Sequence, residues 1–180
     1  VYVADTGNKR VRVYQMDGDE YVYLYDVGEG GSGPGQLDEP SSVALHPDGR
    51  VFVADTWNRR ISVFNREGDF IDSFSVRAWY EERGNRPFLA LDADRELLYV
   101  TDPDGGRVLV FNTDGSCVGA FGQIASDVPA EWQFGVVGGI VVDDEGYVYI
   151  ADAGLNRVVK YLPFPVPETL PAGDAGTGSE

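Results

Sequence analysis

The chain is nearly free of sulfur and imidazole. Its 180 residues hold one cysteine, Cys117, one methionine, Met16, and one histidine, His46. A single cysteine excludes an internal disulfide and any zinc centre of the multi-cysteine kind. A single histidine excludes a two- or three-histidine metal centre, and obliges any Ser-His-Asp or Cys-His site to use His46. Positive charge is also scarce, with 14 Lys and Arg against 30 Asp and Glu and a formal net charge of -16. Phosphate backbones are bound by clustered Lys and Arg, so this balance argues against nucleic acid. It argues equally against adhesion to anionic membranes. No window approaches the roughly 18 apolar residues needed to span a bilayer, so no direct membrane insertion is expected. The opening VYVADTGNKR has no basic region followed by an apolar run, and is not a signal peptide. It begins mid-strand by pattern, and the chain reads as cut from a larger protein.

What is abundant is turn-forming glycine, 23 residues of it, and aromatic side chains: three Trp, ten Tyr and nine Phe. They fall into a repeat. Val1–Tyr14 (VYVADTGNKRVRVY), Val51–Phe64 (VFVADTWNRRISVF), Leu98–Phe111 (LYVTDPDGGRVLVF) and Val148–Tyr161 (VYIADAGLNRVVKY) align, with starts 50, 47 and 50 residues apart. Each unit has an aliphatic-aromatic-aliphatic strand and an Asp at its fifth position: Asp5, Asp55, Asp102, Asp152. Each has an Arg five residues later, Arg10, Arg60, Arg107 or Arg157, and closes on a second strand. Further apolar runs lie at Tyr21–Tyr25, Ser42–Leu45, Phe70–Phe74, Phe88–Leu91, Cys117–Phe121 and Gly139–Val142. Pairs such as Asp17-Gly18, Asp48-Gly49, Glu67-Gly68, Asp114-Gly115 and Glu145-Gly146 separate the runs and suit tight hairpins. No window has a convincing helical period. A period near 50 residues, with about four antiparallel strands in each, predicts an all-β fold of β-propeller blades.

The segment LDEPSSVALHPDGR followed by VFVADTWNRRISVF resembles the NHL repeat. That repeat has a Pro before the inner strand, an Asp-Gly turn, a strand ending in Ala-Asp, and Asn-x-Arg opening the next strand. Pro40 to Phe64 match nearly throughout, and Asn8-Lys9-Arg10 repeats the Asn-x-Arg piece. The third unit departs with Pro103-Asp104-Gly105-Gly106, and the fourth shifts its Asn to Asn156. The resemblance covers residues 1–161. It implies a propeller, usually of six blades, acting mostly as a binding platform, with a few enzymes among the relatives.

With strands named a to d from the centre outward, the first unit supplies b, c and d, the middle two all four, and the last a, b and c. A closed four-bladed ring needs sixteen strands and this chain has fourteen. Residues 1–161 therefore read as a partial or open ring of a larger propeller, first and last blades incomplete. The remainder, 162–180, is rich in Pro and Gly and reads as a disordered tail. In an up-and-down blade the a–b and c–d turns share one face. The opposite face carries the b–c loops and the long d–a connections Val27–Ser41, Ser75–Pro87 and Gly122–Gly138. Binding residues concentrate on such loops, and the ligand-binding candidates there are Trp57, Asn58, Trp79, Tyr80, Arg83 and Trp132. The aromatics among them have two readings of equal weight, partner contact or packing between blades.

The repeated Asp and Arg pairs read first as scaffold, because a catalytic site is usually asymmetric and a recurring bidentate pair suits a staple. A channel-facing ring of carboxylates holding a cation is the weaker reading. The acidic runs Asp92-Ala93-Asp94, Asp102-Pro103-Asp104 and Asp143-Asp144-Glu145 read as solvated turns, with weak calcium binding as the minority reading and no other cofactor. Gly28 to Gly33 fits G-x-G-x-x-G, but a strand follows instead of a helix, so the match is spurious. His46 reads as a turn residue and Cys117 as a small packing residue. Three functions remain open. The first is a non-catalytic module binding a protein or carbohydrate partner, as the sensor or adhesion part of a larger, membrane-anchored, extracytoplasmic protein. The second is a metal-dependent enzyme like the propeller lyases or lactonases. The third is an assembly unit whose ring another chain completes.

Overall fold

The computed structural model describes residues 1–79, 86–126 and 130–165. Strands of alternating pattern pair into four main antiparallel sheets. Blade one is β1 (Tyr2–Asp5), β2 (Arg10–Asp17) and β3 (Glu20–Val27). Two residues each of β4 (Glu29–Gly30) and β5 (Gln36–Leu37) then form a small parallel ladder. Blade two is β6 (Pro40–Leu45), β7 (Val51–Asp55), β8 (Arg60–Phe64) and β9 (Phe70–Ser75). Blade three is β10 (Leu89–Asp92), β11 (Leu97–Asp102), β12 (Arg107–Asn112) and β13 (Cys117–Phe121). A second parallel ladder joins β14 (Gln123–Ile124) to β15 (Gln133–Phe134). Blade four is β16 (Val137–Val142), β17 (Val148–Asp152) and β18 (Arg157–Tyr161). Within the four blades the strand count and order are those the repeat predicts, and the two short parallel ladders are additional. The helical content among the described residues is a single 3-10 turn, Thr6–Asn8.

The register explains why the Asp-to-Arg interval is constant. In every unit the two residues face each other across the b–c hairpin: Asp5 with Arg10, Asp55 with Arg60, Asp102 with Arg107 and Asp152 with Arg157. The residue before each Arg turns the chain through the left-handed region, at Lys9 (φ 55), Arg59 (φ 53), Gly106 (φ 57) and Asn156 (φ 49). Gly and Asn adopt that conformation most readily. The departures in units three and four thus place the best-suited residues at the strained position.

Side chains alternate across each sheet, so every blade has two faces. Phe52, Ala54, Ile61 and Val63 of blade two meet Leu98, Val100, Leu109 and Phe111 of blade three in one core. Val11 and Val13 meet Val51, Val53 and Phe64 in the core before it, and Tyr99, Val108 and Val110 meet Val148 and Ile150 in the core after it. One large residue from each d–a connection plugs each core: Leu37, Trp79 and Phe134, all fully buried. The first and third plugs are set by a glycine. Gly28 (φ 74) and Gly122 (φ 87) follow the outer strands, and a Cβ there would lie 2.6 Å from Leu37 Cδ1 and 2.4 Å from Phe134 Cε2. The innermost described strand of each blade, strand b in blade one (β1) and strand a in the others (β6, β10 and β16), stands beside the next in chain order.

Of the tail, residues 166–180 lie outside the described residues. Its first residues leave β18 without forming a strand, and Phe164 turns back to pack on Phe121 and Gly119 of blade three. Replacing Phe134 by Ala should lower the unfolding free energy by about 3–5 kcal/mol, as cavity formation at a buried aromatic does. Urea denaturation checks this, and a loss under about 1 kcal/mol would show that the plug position tolerates a void.

Candidate functional site

The b–c and d–a face is assembled from the Asp and Arg pairs. Arg Nε lies 3.1, 2.7, 2.8 and 3.2 Å from the Asp carboxylate in units one to four. The same carboxylates cap the loops. Asn8 and Asn58 donate their amides to Asp5 and Asp55, and the backbone N–H groups of Gly105 and Leu155 donate to Asp102 and Asp152. Asp55 also accepts from the Asp38 backbone at 2.6 Å, and Asp152 from Gly135 and Val136. The guanidiniums then reach the d–a connections. Arg60 donates to the carbonyls of Ser32, Gly33 and Gln36, and Arg157 to those of Glu131 and Gln133. Each staple therefore closes its own hairpin and, in blades two and four, holds down the preceding long loop.

Burial sets the electrostatics. Asp55, Asp102 and Asp152 are buried. Desolvation pushes the Asp55 carboxyl above its usual value, against the Asp38 amide, Asn58 and Arg60, which pull it down. Asp5 is more open, and the Asn8 amide, followed by Arg10, holds it below its usual value. The carboxylates are occupied by bonds to their own hairpins and the neighbouring connections. Among the described residues no group of three or more His, Cys, Asp and Glu could hold a metal ion.

The six ligand-binding candidates separate. Trp57 and Trp132 project into solvent, 36% and 51% exposed. Trp57 lies between Asp55 and Asn58 of one staple, and its backbone N–H bonds Asp38 O. Trp132 lies between Glu131 and Gln133, whose carbonyls Arg157 holds. Ile124 and Val136 are exposed on the same connection as Trp132. Trp79 leaves the candidate set: it is fully buried and its indole Nε1 donates to Thr101 O at 3.1 Å, because blade packing needs a plug there. Asn58 has both amide hydrogens engaged by Asp55 and Gly31 O, so it is a loop cap. Tyr80 and Arg83 lie outside the described residues.

Other expectations also change. The Gly28–Gly33 stretch is an ordered acceptor loop: Gly33 N–H donates to Gln36 Oε1, and the Ser32 and Gly33 carbonyls receive Arg60. Gln36-Leu37 and Gln133-Phe134 are matching plug pairs that sequence reasoning passed over. The signal was there in a glycine after the outer strand and a Gln before the plug. Asp92 is a buried partner of Arg95 and is not solvated. Asp143 is a turn former, accepting from the Glu145 and Tyr147 amides. Cys117 is exposed.

His46 lies on the opposite face, at the a–b turn. Its side chain is buried, with Nδ1 2.8 Å from Asp48 and Nε2 3.0 Å from Glu96 Oε1, the latter without hydrogen-bond alignment. Arg50 spans the same joint, to Asp48, to Glu96 at 3.0 Å and to Thr113 O. This cluster clasps blade two to blade three.

An NHL-repeat family profile matches residues 37–64. No curated protein matches the chain. Solved structures do. Virginiamycin B lyase from Staphylococcus aureus shares 13% identity at a TM-score of 0.59, over 92% of this chain and 52% of that one. A catalytically inactive variant of the same lyase, with quinupristin, matches at 13% identity and TM-score 0.58, over 92% and 52%. A streptogramin B lyase structure matches at 12% and 0.57, over 92% and 51%. The likeness shows the propeller fold, and the chain spans about half the length of these enzymes.

Two outcomes test the site. Asp55→Ala should cost about 3–5 kcal/mol, because it strands the Arg60 guanidinium and the Asp38 amide. Asp5→Ala should cost about 1 kcal/mol. Urea unfolding checks both, and equal losses would contradict the ranking by burial. The second concerns pH. The Thr113 hydroxyl, then Arg50, hold Glu96 below its usual 4.5. A depressed carboxyl stabilises the fold above its unfolded value, and the stabilisation is lost as pH falls through the folded value. Glu96→Gln should therefore lose less stability than the parent between neutral pH and pH below 4.5. Identical acid slopes would show that the clasp does not form.

Proposed function

We propose that this chain is a non-catalytic propeller module that binds a protein or carbohydrate partner on its b–c and d–a face. The observation that supports the reading is the mounting of Trp57 and Trp132. Each is exposed; the Trp57 backbone N–H bonds Asp38 O, and the residues on either side of Trp132 carry the carbonyls that Arg157 holds. An aromatic fixed on a rigid loop adds contact area with little ordering entropy left to lose on binding. Ile124 and Val136 extend the apolar surface beside Trp132, as expected of a contact patch. The acidity of the chain favours partners other than nucleic acid.

The likeness to streptogramin B lyases supports a second reading, a metal-dependent propeller enzyme. At 13% identity it carries the fold alone, and His46, the only histidine, is packed on the other face. The binding reading is the better supported.

A glycan array and a pull-down from source-cell surface proteins would identify the partner. Trp57→Ala with Trp132→Ala should then weaken binding at least tenfold while the urea midpoint stays put, since hot-spot aromatics contribute about 2 kcal/mol or more. Undiminished binding by the double variant would remove this face from the proposal.

A further inference from the structure

At the joint between blades three and four, one glycine makes room for a ring. Gly119 lies inside the outer strand β13, and its φ is outside the left-handed region, so no turn requires it. The outer strands β3 and β9 contain no glycine. Glycine within a strand marks a close approach by another group. Here the group is Phe164: a Cβ on Gly119 would lie 2.5 Å from its Cζ. The register shows what stands at this place in blade one. Gly119 pairs with Val110 as Tyr25 pairs with Val13, and both valines are thirteenth in their units. Tyr25 packs into its own joint and donates its hydroxyl to the Arg66 carbonyl of blade two. Blade three has no such side chain, and the Phe164 ring comes in from the far side of the joint to fill the space.

Three aromatic residues complete this notch. Phe121 and Tyr161 stack with centroids 4.8 Å apart, and Phe121 lies 6.4 Å from Phe164. Tyr99 is fully buried in the same core, and its hydroxyl makes no hydrogen bond of good geometry among the described residues. Burial pushes this phenol above its usual value, while the Phe164 backbone pulls it back, so the hydroxyl faces the main chain that carries the ring. An apolar notch with one polar group aimed at a main chain is suited to holding a peptide segment.

Phe164 is held there by its ring. Phe70 also packs on an aromatic, Phe64, at 5.9 Å, but its backbone is fixed in β9 by pairing with Phe64. Residues 162–165 form no strand, and Pro163 and Pro165 have no N–H to give to a ladder. A separate polypeptide with an aromatic between prolines would offer the same ring on an equally pre-extended backbone, at little ordering cost.

We propose that the Gly119 notch is a docking site for a proline-flanked aromatic segment of a protein partner, held shut in this chain by Phe164 until the partner displaces it. None of its residues belongs to the Trp57 and Trp132 face, so the two readings stand or fall separately.

The probe is a dye-labelled peptide, Leu-Pro-Phe-Pro, titrated with the purified 180-residue chain and read by fluorescence anisotropy. Phe164→Ala should bind it saturably. The parent should bind at least about tenfold more weakly, because a notch closed by its own chain lowers apparent affinity by the open fraction. Binding should vanish when the peptide's Phe is replaced by Ala. It should also vanish when Gly119→Tyr, which restores the blade-one side chain, is added to Phe164→Ala. Far-ultraviolet dichroism checks that each variant folds. Should Phe164→Ala unfold, Phe164→Leu replaces it, since Leu keeps apolar cover while leaving the notch part-filled. No saturable binding by the folded open variant, equal binding by the parent, or binding that survives Gly119→Tyr would each overturn the proposal.

Discussion

The fold depends on a buried carboxylate that is never left alone. At each b–c hairpin an Asp sits under the loop, takes an Arg Nε and caps the turn, with Asn amides in two units and backbone N–H groups in the other two. A buried charge without partners would be strongly destabilising. Here it has at least three donors in blades two and four, and the Arg carries the network onward to the neighbouring connection. One interaction thereby sets hairpin register, loop shape and the seating of the plug residue.

Apolar packing then does what the staples cannot. The blades touch through alternating positions of the repeat, and Leu37, Trp79 and Phe134 close the joints from the loop side. On the opposite face the Arg50 and Glu96 clasp, together with the Arg95 reach to Glu145 O, ties neighbouring a–b turns. The two faces therefore differ in kind. One is a set of tight turns locked by short ionic contacts. The other carries the b–c loops and the long connections, with Trp57 exposed on a b–c loop and Trp132 on a connection that Arg157 holds, and that contrast underlies the binding reading.

The legibility of the site followed the same physics. Strand order, hairpin pairing and the Asp-to-Arg register were all readable, since each is local and repeated. The fate of individual aromatics was not. Trp57 and Trp79 are both loop tryptophans in sequence, yet one projects and the other fills a core. What separates them is whether a neighbouring blade leaves a void at that point, a non-local matter. Asn58 misled for a related reason: a polar loop residue offered to solvent and one consumed by Asp55 have the same local pattern.

By itself the sequence determined the architecture, because period-two strands, X-Gly turns and a fixed Asp-to-Arg interval specify hairpins of one register, and four copies of a hairpin unit specify blades. Only the tertiary structure decided which loop residues are scaffold and that the glycine-rich stretch is an ordered acceptor for Arg60. These outcomes depend on what lies across the gap between blades, and burial there is set by pairs of residues some fifty positions apart, beyond the reach of any local pattern.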